Sequence, residues 1–194
     1  MTYSVRKNTV LQAALLFLVA TSAVAILGAT DTGYIKARGK PGNAGVFING
    51  TYAGPAYRFT VPEKYEAPAG EVEVTFRDPR CEDYTTKVTV RAGKTTKLHY
   101  SLKRLEPAKP PFGRFRLGGG PPESFMSISA GDTGAVYIND RFFGYVDELN
   151  NPGNGILLNP GTYDLHIVSK VYGDIRQKLT IEANQVTVIP LPKR

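Results

Sequence analysis

Alternating hydrophobic and polar residues mark strands along most of the chain. Val72, Val74 and Phe76 alternate with polar neighbours in the first half, and Leu179 and Ile181 do so in the second half. A period of two gives each strand one buried and one solvated face, which is typical of an antiparallel sheet or sandwich. Beyond the N-terminal segment no stretch sustains a helical period, so the pattern predicts an all-β protein.

Turn residues separate these alternating runs. Asn49-Gly50 and Asn139-Asp140 suit tight hairpins, because glycine, asparagine and aspartate tolerate a positive φ. Pro160-Gly161 and Ala92-Gly93 mark further chain reversals. Together the runs and turns predict two small β domains, each of about five to seven short strands.

An internal repeat supports this division into two domains. Three blocks of the first half recur in the second half in the same order, at an offset of 90 residues for the first block and 91 for the others. The blocks are 45–54 with 135–144, 68–74 with 159–165, and 87–94 with 178–185. A near-constant offset of this kind indicates a tandem duplication.

The repeat sets the expected domain boundaries. We place the first β-sandwich at residues 33–104 and the second at residues 123–194. Residues 105–122 contain five prolines and four glycines in 18 residues. Proline favours extended chain and glycine favours coil, so this segment is predicted to be a linker.

The N-terminus has the order of a secretory signal. Arg6 and Lys7 precede an uncharged stretch of 18 residues, 10–27, in which Ala23 and Ala25 provide small residues for cleavage. We expect residues 1–25 to be a signal peptide. The stretch is also just long enough to stay in the bilayer as a signal anchor, or it could form a buried helix of the folded domain. In the first two cases the rest of the chain is exported to the periplasm, the cell surface or the medium.

Composition excludes several classes of protein. One cysteine, Cys81, cannot form an intramolecular disulfide or supply the thiolates of a usual structural zinc site. The formal charge is +7, and it becomes +5 if residues 1–25 are removed, with 22 basic against 17 acidic residues. The basic aromatic segment 109–116 resembles single-strand nucleic-acid binders in composition. An exported protein rarely meets nucleic acid, so an anionic cell surface or a solvated linker is the preferred interpretation.

The turns and strands of both repeats resemble the PEGA domain, a small β-sandwich module. In the first copy the resemblance lies in residues 41–50, Gly54, Ala69-Gly70 and Ala92-Gly93. The second copy offers the corresponding elements in residues 131–184. The resemblance implies a tandem PEGA protein made of non-catalytic modules of the exported or surface-bound kind. It carries over no catalytic residue and no cofactor.

Both copies depart from the family in one long loop that is rich in aromatic residues. From the post-turn glycine to the next Gly turn there are 16 residues in the first copy and 17 in the second. Such rings can form a surface for a protein or glycan, or they can close the end of a small core. The candidate partner surface comprises Tyr52, Tyr57, Tyr65, Phe142, Phe143 and Tyr145.

Residues for catalysis or metal binding are few. His99 and His166 lie on alternating strands of different repeats, and His166 occupies a polar position of its strand. Cys81 lies in a charged stretch and is interpreted as a loop thiol. The acidic residues of 82–83 and 147–148 lack the spacing of an EF-hand loop. We assign no catalytic residue, no metal and no cofactor.

These patterns lead to a non-catalytic, exported cell-envelope protein that binds or supports an envelope protein or polysaccharide. Membrane contact is expected only through an uncleaved N-terminal segment. A glycan- or protein-binding adhesin that uses the aromatic loops is the first alternative. An accessory subunit of an exported hydrolase is the second, and the scarcity of histidine argues against a hydrolase itself.

Overall fold

The computed structural model describes residues 31–59, 64–107, 110–118, 133–151 and 153–192. These residues form fourteen strands, a 3-10 helix and an α-helix, so the prediction of an all-β fold is confirmed. The predicted signal, residues 1–25, lies outside the described residues. Within the described ranges, no helix has the length and apolar character needed to cross a membrane.

The first seven strands form one β-sandwich. They are β1 (Thr32–Lys40), β2 (Gly45–Ile48), β3 (Thr51–Pro55), β4 (Tyr65–Pro68), β5 (Gly70–Arg77), β6 (Tyr84–Val90) and β7 (Thr95–Ser101), with a 3-10 helix at Ala56–Phe59. One sheet has the order β3-β2-β5-β6 and is antiparallel. The other has the order β4-β1-β7.

The last seven strands form a second sandwich with the same order. They are β8 (Gly113–Gly118), β9 (Ala135–Ile138), β10 (Arg141–Tyr145), β11 (Ile156–Leu158), β12 (Gly161–Ser169), β13 (Gly173–Ile181) and β14 (Val186–Pro190), with α1 (Val146–Asn150) after β10. The sheets run β10-β9-β12-β13 and β11-β8-β14. Each strand therefore has a counterpart in the other sandwich.

The sheets differ from the expected antiparallel pairing at one place in each sandwich. The central strand of each three-stranded sheet pairs in parallel with the last strand of its unit, β1 with β7 and β8 with β14. The first and last strands of a unit are not joined by a hairpin, so no tight turn forces them to run in opposite directions. The four-stranded sheets are antiparallel, as expected.

The predicted hairpin turns are present. Asn49 and Gly50 have φ values of 49° and 78°, and Asn139 and Asp140 have 48° and 60°. Two consecutive positive φ values define the type I′ turn, whose twist matches that of the strands it joins. The side chain of each asparagine also accepts a hydrogen bond from the backbone of the next strand of its sheet, at Glu73 and Asp164.

Each sandwich has its own core between its two sheets. Ile35, Val74 and Phe76 belong to the first core. Phe115 and Leu165 belong to the second core. The sandwiches are therefore two separate folding units by their packing, although a third cluster joins them, as described below.

The prediction that residues 105–122 form a linker is wrong for the central part of this segment. Strand β8 (Gly113–Gly118) lies within it and forms the middle of a sheet. Phe115 and Leu117 are completely buried and alternate with Arg114 and Arg116. This strand shows only two apolar-polar alternations and is flanked by prolines and glycines. The composition of the segment therefore predicted a linker where the structure has a core strand. The second sandwich begins at Gly113 and not at residue 123.

Candidate interaction surface

The two sandwiches meet through two equivalent hairpins, β2–β3 and β9–β10. Along β2, Val46 and Ile48 face the first core, so Phe47 between them points away from it. Along β9, Val136 faces the second core and its neighbour Ala135 points away. The outward faces of the two hairpins pack against each other, which buries strand β2 on both sides.

Aromatic side chains fill this contact. We call Phe47, Tyr52, Ala135, Tyr137 and Phe142 the inter-sandwich cluster. The ring of Phe142 lies 5.4 Å from that of Phe47 in an edge-to-face arrangement and 5.2 Å from that of Tyr52. These are favourable distances for aromatic pairs, so the contact has the character of a small core.

A close approach of the backbone makes this packing possible. A Cβ added to Gly45 would lie 2.6 Å from the ring of Phe142, closer than real carbon contacts allow. Ala135 occupies the position equivalent to Gly45 in the repeat and is also buried. Small residues at this position therefore let the two hairpins approach each other.

The hydroxyl group of Tyr52 is an exception within the cluster. It is buried, and no hydrogen-bond partner for it lies among the described residues. Burial raises the pKa of Tyr52 well above its usual value, and the nearby Tyr137 hydroxyl raises it further. A buried hydroxyl without a partner costs free energy, so the cluster is stabilised by ring packing and not by polar contacts.

A network of polar side chains also connects the two sandwiches. Glu148, on α1 of the second sandwich, accepts a hydrogen bond from the Asn43 side-chain amide of the first. Its Oε1 also lies 3.9 Å from Nη2 of Arg80. Arg80 donates from Nε and Nη2 to the buried carboxylate of Asp78, at 2.9 Å and 2.7 Å. This network ties α1 to two loops of the first sandwich.

Burial raises the pKa of Glu148 above its ordinary value of 4.5, although the Asn43 hydrogen bond and Arg80 oppose the shift. A raised folded-state pKa means that the folded protein binds this proton more tightly than the unfolded chain. The contribution to stability is full below pH 4.5 and is lost as the pH rises through the folded-state pKa.

This shift gives a testable pH dependence. The free energy of unfolding of the wild type, minus that of Glu148→Gln, is expected to increase as the pH falls from neutrality towards 4.5. Chemical denaturation at several pH values measures this difference. The same difference measured with Glu182→Gln, at an exposed turn position, is the control and is expected to change less. An equal slope for both variants would show that burial of Glu148 is not its cause.

The structure separates the six candidate partner residues. Phe142 is only 2% exposed, so its assignment to a partner surface was wrong: its ring is already covered by the first sandwich. Tyr52 lies beside it in the cluster. Tyr65 stacks on Phe59 at 5.1 Å, and Phe143 packs against the second core.

Tyr57 and Tyr145 form an aromatic pair at the edge of the contact. Their ring centres are 5.9 Å apart, and Tyr57 is 37% exposed. Burial raises the pKa of Tyr145, and Glu148 and Tyr57 raise it further. Among the six candidate residues, this pair lies between the sandwiches and still has an accessible ring, that of Tyr57.

Sequence reasoning missed the residues that join the sandwiches, above all Phe47, Tyr137 and Glu148. One signal was available: residues 45–48, Gly-Val-Phe-Ile, contain no polar residue, unlike the strands that alternate. A continuous apolar run indicates a strand buried on both faces. The acidic pair 147–148, considered for calcium, instead belongs to α1, whose Glu148 faces Asn43.

The histidines lie apart. His99 is exposed on β7. His166 contacts Asp174, with 3.1 Å between Nε2 and Oδ1, and its ring lies 5.7 Å from that of Tyr137. Among the described residues, no group of three His, Cys, Asp or Glu could hold a metal ion.

Cys81, interpreted from the sequence as a loop thiol, is a buried residue. It is 3% exposed and packs in the first core, and burial raises its pKa. The backbone of Cys81 pairs with that of Arg104 in an isolated antiparallel β-bridge.

We therefore expect the Cys81 thiol to react slowly with a disulfide reagent. Burial shields the thiol and raises its pKa, which disfavours the thiolate that reacts. The reaction rate in buffer should rise at least tenfold in denaturant, as followed by absorbance. A variant with Cys81→Ser and the exposed Ser101→Cys controls for reagent access. Rapid native labelling at Cys81 would contradict its burial.

Comparison with known families addresses the first sandwich. The family model of the PEGA domain matches residues 32–106, from the start of β1 to just beyond the end of β7. Residues 32–106 form a PEGA domain. This confirms the resemblance noted for the first copy. The matched PEGA region ends before strand β8, so it does not include the second sandwich.

Solved structures include a chain described as the Bacillus anthracis TIE protein. It is 14% identical to this chain and aligns with a TM-score of 0.27. The alignment covers 82% of this chain and 32% of the other, so this chain spans about a third of that protein's length. The comparison with curated proteins finds no match.

Proposed function

We propose that this chain is an exported, non-catalytic cell-envelope protein that acts as a binding or structural module through two PEGA-like sandwiches. The inter-sandwich cluster is the observation that carries the proposal. It fills the space between the sandwiches with side chains, where a two-domain enzyme would commonly have a cleft. The two units then act as one block whose three-stranded sheets face away from the contact.

The second sandwich is proposed to be a degenerate PEGA domain. Its strands have the order of the first in both sheets, and its β9–β10 turn has the same type I′ conformation. The backbone also repeats in detail: Tyr34 donates to the carbonyl of Lys94 at 2.8 Å, and Arg114 donates to that of Gln185 at 2.8 Å.

Export is supported by the signal-like order of residues 1–25 and by the PEGA domain. The mass of the protein recovered from producing cells tests it. Cleavage is expected after Ala25, with the protein in the envelope or medium. Retained residues 10–27 together with an envelope fraction would support the anchored form. A full-length protein in the cytoplasmic fraction would contradict export.

The non-catalytic role is tested with a broad hydrolase panel. His166 is engaged by Asp174 and lies against Tyr137, which supports a structural role for it. We expect no turnover above a heat-denatured sample. Turnover that His166→Ala abolishes in a folded variant would overturn the proposal and favour the hydrolase-related alternative.

A protein- or glycan-binding adhesin remains the second candidate, because Tyr57 keeps an accessible ring beside Tyr145. Tyr57→Ser should then weaken retention on isolated cell-envelope material at least fivefold. Tyr84, 41% exposed on β6, provides the matched control Tyr84→Ser. Equal retention of both variants would show that the Tyr57 ring does not contribute to binding, which would contradict the adhesin hypothesis.

A further inference from the structure

The outer face of the sheet β4-β1-β7 carries an uncompensated row of basic residues. Lys36, Arg38 and Lys40 alternate along β1 with residues that face the core, and Lys97 lies on the neighbouring edge strand β7. Arg38, Lys40 and Lys97 are exposed and Lys36 is half-buried. We call these four residues the β1–β7 basic face.

The strand register brings these charges together. In the parallel pairing, Lys36 lies opposite Lys97 and Arg38 lies opposite His99. Neighbouring strands are about 4.8 Å apart, and like charges placed directly opposite each other destabilise a sheet. No acid among the described residues forms an ion pair with any of the four. Glu66, opposite Tyr34 at the far end of β1, is the acidic residue on this face.

The outer faces of the four-stranded sheets pair some of their charges. On β5 and β6, Lys87 and Glu71 form an ion pair at 3.0 Å. On β12 and β13, Lys178 and Asp164 form another. Among the described residues, the β1–β7 basic face has no such pairs, and it carries more basic residues than the equivalent outer face of β8, which has Arg114 and Arg116. A surface that holds repelling charges without counter-charges is suited to an anionic partner.

We propose that the β1–β7 basic face docks on a membrane surface that contains anionic lipid headgroups. Its charges lie on one sheet face, which suits a broad charged surface. In the anchored form, which retains residues 10–27, strand β1 also begins only four residues after this apolar stretch. Extended chain spans at most about 3.6 Å per residue, which keeps β1 within roughly 18 Å of that stretch. The inference rests on the proposed envelope location and gives the folded domain a membrane contact of its own, with or without residues 1–25.

The test measures the binding of the purified full chain to lipid vesicles at several salt concentrations. One set of vesicles is phosphatidylcholine, and the other also contains phosphatidylglycerol. The face variant is Lys36→Gln/Arg38→Gln/Lys97→Gln. The control Lys170→Gln/Arg176→Gln/Lys178→Gln removes the same charge from the second sandwich. Circular dichroism and thermal midpoints establish that both variants fold.

The salt dependence isolates the electrostatic part of binding, since any contribution of the apolar stretch 10–27 is common to all variants. Each basic residue at an anionic surface contributes roughly fivefold, so the face variant should lose on the order of a hundredfold in affinity for phosphatidylglycerol vesicles. The control should lose less than about fivefold. The wild type should show this salt-dependent term on phosphatidylglycerol vesicles and not on phosphatidylcholine alone.

Three results would overturn the inference. Equal losses in the face variant and the control would assign the attraction to net charge. An unchanged salt-dependent term in the face variant would remove this face from the contact. Tight binding of soluble polyphosphate that depends on the face, without a matching effect on vesicles, would make it a polymer site. None of these results depends on where the cell places the protein, so export and membrane docking can fail separately.

Discussion

Replacing Phe142 with alanine is expected to lower the free energy of unfolding by roughly 3 kcal/mol, the scale of removing a buried phenylalanine. The ring is 2% exposed and contacts Phe47 and Tyr52 of the other sandwich. It faces away from the core of its own unit, so its loss mainly removes packing between the sandwiches. We expect the wild type to unfold in one transition, because the cluster couples the two units, and the variant to unfold in two.

Calorimetry and urea denaturation measure this effect. Tyr84→Ala is the matched control. Tyr84 is also an aromatic residue of a four-stranded sheet, but its side chain is 41% exposed and lies away from the contact between the sandwiches. The control should cost less than about 1 kcal/mol and leave a single transition. If Phe142→Ala costs no more than this control, the inter-sandwich cluster does not couple the two units.

The hairpins and the two-unit organisation could be predicted because their causes are local. A type I′ turn needs residues that tolerate two positive φ values, and Asn49-Gly50 and Asn139-Asp140 supply them. Strands with one wet face show their period directly, as Val72 and Val74 do. Repetition of both signals at a fixed offset then reveals the duplication without knowledge of any contact.

The contact between the sandwiches could not be predicted in the same way. Phe47 and Phe142 occupy the polar-face positions of their strands, and an apolar residue there can indicate a partner, a ligand or another part of the same chain. The sequence alone does not distinguish these possibilities. Strand β8 was not predicted for a different reason. Only Phe115 and Leu117 mark its buried face, and the residues on either side of it have the composition of a linker.

One pair of glycines shows how closely the two units repeat. A Cβ added to Gly33 of β1 would lie 2.3 Å from the carbonyl oxygen of Arg91. A Cβ added to Gly113 of β8 would lie 2.3 Å from that of Glu182, the residue equivalent to Arg91. Each glycine allows the central strand of its sheet to pass directly against the turn before the last strand.

Gly33→Ala and Gly113→Ala are therefore expected to destabilise the protein by similar amounts, roughly 2–3 kcal/mol each, because the obstacle is backbone and cannot swing aside. Gly42→Ala is the control, since no atom lies within 4 Å of its added Cβ. Denaturant unfolding measures all three. Because each glycine acts within its own sandwich, the double variant should be nearly additive. A neutral Gly113→Ala beside a damaging Gly33→Ala would mean that β8 does not occupy the place in the second sandwich that β1 has in the first.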